Sequence, residues 1–246
     1  MIFNTVPPLA DIIPQGAGAH NAIYRGKYLG SEVTDDQWAA ISAGTFDDLY
    51  IGDYWTIGGV NYRIAAFDYY LNTGDTLCTQ HHVVMVPDTA LYEASMDDDT
   101  SATGAYVGTK MYKSGLASAK STVNNAFGAA HILKHRQFLT NALTADYASA
   151  GSWYDSTLEL MAERNLYGCA VYTNCVNGTG WPNNYTIDAT QYPLFQFAPD
   201  KRRADPGFWL RDVASKGYYS VVEFSGAATY RIATEVVGVR PAFSIC

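Results

Sequence analysis

Two adjacent glycines constrain this chain more than any other feature. Gly58-Gly59 separates Tyr54-Trp55-Thr56-Ile57 from Val60-Asn61-Tyr62-Arg63-Ile64, two runs of aromatic and β-branched residues. A two-residue loop between such runs calls for positive φ at both positions, which glycine adopts without steric cost, so the spacing predicts a β-hairpin. The whole stretch from Asp47 to Leu71 shares this composition, and a third run, His81 to Val86, ends at Pro87-Asp88. Strand patterning returns at the far end in Phe208-Trp209-Leu210-Arg211, Tyr219 to Phe224, Ala228 to Ala233 and Val237 to Ile245. Helical patterning lies between, over Leu116 to Phe127, Arg136 to Leu143 and Ser156 to Leu166. Strands at both ends with helices between predict an α+β fold, and no repeat of fixed period is present.

Local signals set the boundaries. Thr34-Asp35-Asp36-Gln37 has the hydroxyl-x-x-amide spacing of a capping box, Trp38-Ala39-Ala40-Ile41 follows, and Gly44 ends a short helix. Ser156-x-x-Glu159 reads as a second capping box, with Gly168 as its stop. Residues 1–30 hold three of the nine prolines, and Gln15-Gly16-Ala17-Gly18-Ala19-His20 is too small-residued to build a core. This segment is expected to be an extended N-terminal arm, with residues 31–246 forming one domain; 246 residues suffice for a sizeable core. From Gly168 to Tyr192 the chain is rich in Asn, Thr, Gly and Tyr, long for a loop and expected to be a functional surface.

Charge narrows the partners. Lys plus Arg number 16 and Asp plus Glu 24, a formal net charge of −8 without any basic run, so a phosphate backbone or an anionic membrane would be repelled. Charged residues make up 16%, against about 25% in ordinary globular proteins, whereas aromatics reach 14% and include 19 tyrosines. The surface is therefore expected to be neutral, aromatic and hydroxyl-rich. The start lacks the basic region of a secretory leader, and the longest uncharged stretch, Leu166 to Ile187, is too polar to cross hydrocarbon, so cytoplasmic synthesis without membrane insertion is expected. Cys78, Cys169, Cys175 and Cys246 are too few for a disulfide scaffold and are read as free, mostly buried thiols.

Several constellations carry the look of chemistry. His131 and His135 stand at i and i+4, but Ile132 occupies the place where a zinc protease has glutamate. Cys78-x-x-His81-His82 precedes an apparent strand and reads as half-buried polar residues, and Asp97-Asp98-Asp99 lacks the glycine and bidentate glutamate of a calcium loop. Asp155, Asp188 or Asp200 could supply the carboxylate pair of a glycosidase. No glycine-rich phosphate loop and no nucleophile elbow is present. No metal and no cofactor is called for. The most unusual chemistry lies near the C-terminus, where Lys216, Tyr218, Val221, Glu223, Ser225, Ala227, Tyr230, Arg231, Thr234, Glu235 and Val236 fall between apolar anchors at Trp209-Leu210 and Val239 to Phe243. Tyrosines among small residues resemble a paratope, with large amphipathic area at low entropy cost.

Those anchors carry a resemblance. Phe208-Trp209-Leu210-Arg211-Asp212-Val213, Tyr219-Ser220-x-Val222, Gly226 and Gly238-Val239-Arg240-Pro241-Ala242-Phe243 are similar to the C-terminal domain of phage and prophage virion proteins, which ends in W-L-R and G-V-R-P-A blocks. These are related in pattern to the C-type-lectin-like variable proteins of diversity-generating retroelements. Gly44 to Trp55, Gly104-x-Tyr106-Val107-Gly108, His131-Ile132-Leu133-x-His135-Arg136 and Asp155-Ser156-x-x-Glu159-Leu160-Met161 resemble the same group. The resemblance implies a C-type-lectin-like fold in which N- and C-terminal strands pair, here the Asp53–Ile64 hairpin with Val237–Ile245, with helices inserted between. Trp209, Leu210, Arg211, Gly238, Arg240 and Pro241 would be scaffold, and residues of about 209–240 would be displayed. No Glu-Pro-Asn triplet accompanies it, Trp181-Pro182-Asn183-Asn184 being a partial echo, and Cys169 and Cys175 do not form the pair of formylglycine-generating relatives.

The implied function is a non-catalytic receptor-binding or adhesin-like virion component, tail or surface, made in the bacterial cytoplasm. It would face a bacterial surface glycan or protein, touch other virion proteins through its arm, and assemble as a homo-oligomer, for which a trimer is the guess. It could be a retroelement-diversified variable protein, although Lys216, Glu223 and Glu235 are not products of simple Asn-codon diversification. The alternatives are an architectural capsid or tail protein and a cell-wall glycan hydrolase.

Overall fold

The computed structural model describes residues 16–101, 103–145, 147–173 and 190–246. The first elements are α1 (Gly16–His20), β1 (Tyr28–Gly30), α2 (Asp35–Ala43), β2 (Tyr54–Ile57), β3 (Val60–Phe67), β4 (Val83–Pro87) and β5 (Tyr92–Ser95). The middle holds α3 (Ala105–Gly108), α4 (Ala117–Phe127), β6 (His135–Thr144), β7 (Tyr147–Ser156), β8 (Leu158–Leu160), α5 (Glu163–Tyr167) and α6 (Pro193–Phe197). Five strands finish the chain: β9 (Phe208–Ser215), β10 (Tyr218–Val222), β11 (Ala228–Ile232), β12 (Val236–Val239) and β13 (Pro241–Ile245). A six-stranded sheet runs β1-β2-β3-β4-β13-β8, a five-stranded sheet β11-β10-β9-β12-β5, and β6-β7 form a ribbon. The architecture is mixed α+β.

The local signals operate as their chemistry dictates. Gly58 and Gly59 take φ of +59° and +82° and turn β2 into β3 in the expected register, Ile57 opposite Val60. The Thr34 hydroxyl accepts from the Gln37 amide at 3.3 Å while the Gln37 side chain accepts from the Thr34 amide at 3.0 Å, and Gly44 closes α2 at φ 70°. Gly168 likewise caps α5 in the left-handed region.

Three expectations need correction. The run Arg136–Leu143 is not a helix: it lies in β6, paired with β7 from His135–Ser156 to Thr144–Tyr147 with irregularities between Thr140 and Leu143. Its apolar residues fit either period, and the partner strand decides. Ser156 and Glu159 do not cap a helix either. The Ser156 hydroxyl donates to the buried Glu159 carboxylate at 3.1 Å, Leu158–Leu160 pair with β13, and the helix is confined to Glu163–Tyr167.

Third, residues 16–30 are not an extended arm. Small residues let the segment lie close against the sheet, and polar side chains fasten it. Buried His20 donates from Nδ1 to the Leu49 carbonyl at 2.6 Å, and Asn21 exchanges two hydrogen bonds with the backbone of Phe67, at 2.9 and 2.8 Å. The Tyr24 ring lies over Gly52, where a Cβ would sit 2.3 Å from it. Arg25 reaches the buried Asp53 carboxylate at 2.6 Å, and β1 adds in parallel to β2. Residues 1–15 lie outside the described residues.

The closing of the chain also differs from expectation. Val237–Ile245 is two strands in two sheets, and β4 stands between the hairpin and β13, so first and last strands share a sheet without pairing. The crossing happens at Arg240, fully buried, whose Nε donates to the Pro87 carbonyl at 2.6 Å and whose guanidinium lies 4.9 Å from the Phe208 ring. Burial lowers its pKa to about 10. Just before it, Gly238 packs so tightly that a Cβ would sit 2.5 Å from the Gly207 carbonyl oxygen. Trp209, Leu210, Arg211 and Pro241 are buried with them.

Candidate binding surface

β11 is the outer strand of the five-stranded sheet. Opposite residues of an antiparallel pair share a face, and the register Ser220–Tyr230, Tyr219–Arg231 assigns the sides. Tyr218, Ser220, Tyr230 and Ile232 stand on one face; Tyr219, Val221, Thr229 and Arg231 stand on the other. The single display face expected from sequence therefore splits in two. Tyr230 and Arg231, consecutive on a strand, project in opposite directions.

The first face is aromatic. Tyr230 is 47% exposed and Tyr218 37%, and their rings meet edge to face at 6.0 Å. A third ring, Tyr172, 36% exposed, meets Tyr230 at 5.2 Å and 69°. The three hydroxyls make no hydrogen bond to a described residue, whereas those of Tyr92, Tyr106, Tyr167 and Tyr219 are all held by internal partners.

Tyr172 reaches this face through a buried carboxyl group. The Glu163 amide, at the start of α5, donates to Asp212 of β9 at 2.6 Å. The fully buried Glu163 carboxylate accepts from the backbone amides of Val171 at 2.6 Å, Tyr172 at 3.0 Å and Thr173 at 3.2 Å, and from the Ser220 hydroxyl of β10 at 2.6 Å. A carboxylate cut off from water is tolerable only when its lone pairs are filled in this way. One side chain thus ties helix, loop and sheet together and sets the ring of Tyr172 against that of Tyr230.

The second face is buried along β10 at Tyr219 and Val221 and carries charge along β11 at Arg231, which pairs with two carboxylates. Arg231 lies 2.5 Å from Glu223 and 3.5 Å from Glu235. The other expected positions sit in the turns. Lys216 is exposed between β9 and β10; Ser225 and Ala227 are exposed between β10 and β11; Thr234 and Glu235 precede Val236, which opens β12 and is also exposed. Val221 requires correction: it is 3% exposed, in the core, and no partner can reach it without unfolding the sheet. Sequence reasoning missed Phe224, 69% exposed in the β10–β11 turn, along with Tyr172 and Glu163. Tyr172 did fall in the tyrosine-rich stretch after Gly168, most of which, residues 174–189, lies outside the described residues. Glu163 gave no signal, since an acid inside an apparent helix reads as a solvated residue.

The remaining constellations resolve as follows. His131 ends a 3-10 turn and stacks on Trp38 at 4.0 Å, while His135 opens β6, so no helix carries them together. His135 is buried 3.9 Å from the Tyr70 ring, and burial, with His82 nearby, lowers its pKa to about 3. His81 is held by Asp68 at 2.7 Å, and buried His82 accepts from the Tyr70 amide at 3.0 Å. Asp98 pairs with Lys110 and Asp99 accepts from Ser101, as in a solvated turn. Asp155 is bound by Lys134 and Arg136 at the surface, and Asp200 is exposed in another element. Asp188, Cys175 and Trp181-Pro182-Asn183-Asn184 lie outside the described residues. Cys78, Cys169 and Cys246 are free thiols, and only Cys78 is buried. Among the described residues no group of three or more His, Cys, Asp or Glu is placed to hold a metal ion, and no helix is long and apolar enough to cross a membrane.

No protein-family model matches the chain, and neither a curated protein nor a solved structure matches it.

Proposed function

We propose that this protein is a non-catalytic, adhesin-like component of a virion tail or surface that presents its aromatic corner to a molecule on the bacterial surface. The observation that carries the reading is the set of three partly exposed tyrosine rings at the edge of a sheet, Tyr172 and Tyr218 each against Tyr230, with the Tyr172 backbone held by the buried Glu163 carboxylate. Rings fixed in advance lose little freedom on binding, so their area converts into affinity rather than into ordering cost. The kinship proposed with C-type-lectin-like display domains is supported by the placing of the two terminal blocks in the interior, with the segment between them reaching the surface at β11 and its turns. Assembly into a homo-oligomer, a trimer in this reading, would multiply a weak single-site affinity by roughly 10²–10⁴.

The test is adsorption. Labelled protein is bound to a panel of bacterial cells beside a variant carrying Tyr172→Ala, Tyr218→Ala and Tyr230→Ala, with circular dichroism verifying that both are folded. Loss of cell binding by the folded variant is expected. Equal adsorption of the two would refute the assigned surface.

A further inference from the structure

We propose that the ligand held by Tyr172, Tyr218 and Tyr230 is an uncharged carbohydrate, an inference that rests on these rings being the contact surface. Area argues for it first. A fully buried aromatic side chain covers about 150–250 Å², so three rings less than half exposed offer roughly 250 Å² together. A stable protein partner needs about 800 Å² on each side, whereas one or two sugar units fit the smaller platform.

Chemistry argues the same way. The rings present apolar faces beside three hydroxyls that no described residue uses, matching a ligand that alternates C–H and O–H groups. Charge disfavours an anionic ligand. Arg231, on the opposite side of β11, is taken up by Glu223 and Glu235, and the chain as a whole carries −8, which disfavours a phosphate or uronate.

The full chain, labelled, is bound to the bacterial cell panel before and after periodate oxidation of surface sugars and, in parallel, before and after protease treatment. Periodate is expected to cut binding at least tenfold and protease to leave it intact. Raising NaCl from 50 to 500 mM is expected to change it less than about twofold, because no counterions are released. Tyr172→Phe and Tyr230→Phe keep the rings and remove one hydroxyl each, and each is expected to weaken binding about 3–10-fold. Binding that survives periodate and is lost with protease would overturn the carbohydrate assignment while leaving the contact surface standing. Full binding by the folded triple alanine variant, or no binding to any cell, would overturn both.

Discussion

Glu163 is the residue on which the proposed surface turns, although it touches no ligand. Gln at this position keeps the volume but leaves one acceptor oxygen; with that oxygen in the place of Oε2, the amide nitrogen takes the place of Oε1 and opposes the Tyr172 amide. Glu163→Gln is therefore expected to raise hydrogen exchange at Val171, Tyr172 and Thr173 at least tenfold, with a stability cost of about 2–4 kcal/mol by urea titration. Unaltered exchange there would mean that the carboxylate does not hold the loop. Gly238 illustrates the steric counterpart. A methyl group would press on the Gly207 carbonyl at 2.5 Å and on the Ala90 side chain at 2.7 Å, so Gly238→Ala is expected to cost about 1–3 kcal/mol, measured as a shift in urea midpoint.

At the level of elements, what could be read from the sequence and what could not divide along a physical line. The turn at Gly58-Gly59, the capped helix at Thr34 and the stops at Gly44 and Gly168 depend on contacts within a few residues, and each left a local trace. The β6–β7 ribbon does not. Arg136–Leu143 become a strand only because Tyr147–Ser156 lie alongside, and Glu159 looks like a capping partner until Tyr106, more than fifty residues away, donates to its carboxylate at 2.8 Å. Residues 16–30 misled for the same reason, since their adhesion to the sheet comes from His20, Asn21 and Arg25 meeting distant groups. Asn21 gives the sharpest test. Removing its side chain leaves the amide and the carbonyl of Phe67 without their partners, so Asn21→Ala is expected to cost about 1–3 kcal/mol and to expose the Phe67 amide to exchange. The binding surface was legible in the same partial way: the tyrosines stood out in the sequence, but the alternation of β11 that separates Tyr230 from Arg231 and buries Val221 required the register.

Across the whole molecule, a chain poor in charge keeps several ionisable groups inside, and this sets how its stability follows pH. His135 sits among Tyr70, His82, Gln137 and Arg211, uncharged in the folded state, and burial depresses His82 as well. The unfolded chain takes up a proton on each near pH 6.5, so it binds more protons than the folded chain below that value. Stability is therefore expected to be full above about pH 6.5 and to fall as the pH drops towards 3, the folded pKa of His135. Glu159 acts the other way, since burial raises its carboxyl and its contribution fades as the pH rises, but one such group stands against two histidines. Urea midpoints taken between pH 7.5 and 4.5 check this, and His135→Phe, which keeps a ring against Tyr70, is expected to flatten the curve. A curve of unchanged slope in that variant would assign the dependence to other groups.

The same interior rigidity holds the three tyrosines in place at the sheet edge, and the central claim is that this corner is where the protein makes contact. Hydrogen exchange of the full chain bound to isolated bacterial cell envelopes, compared with the free chain, addresses it most directly. New protection is expected at residues 171–173, 218 and 228–232, with the six-stranded sheet unaltered. Protection confined to the β6–β7 ribbon or to the six-stranded sheet, with none at β11, would contradict it.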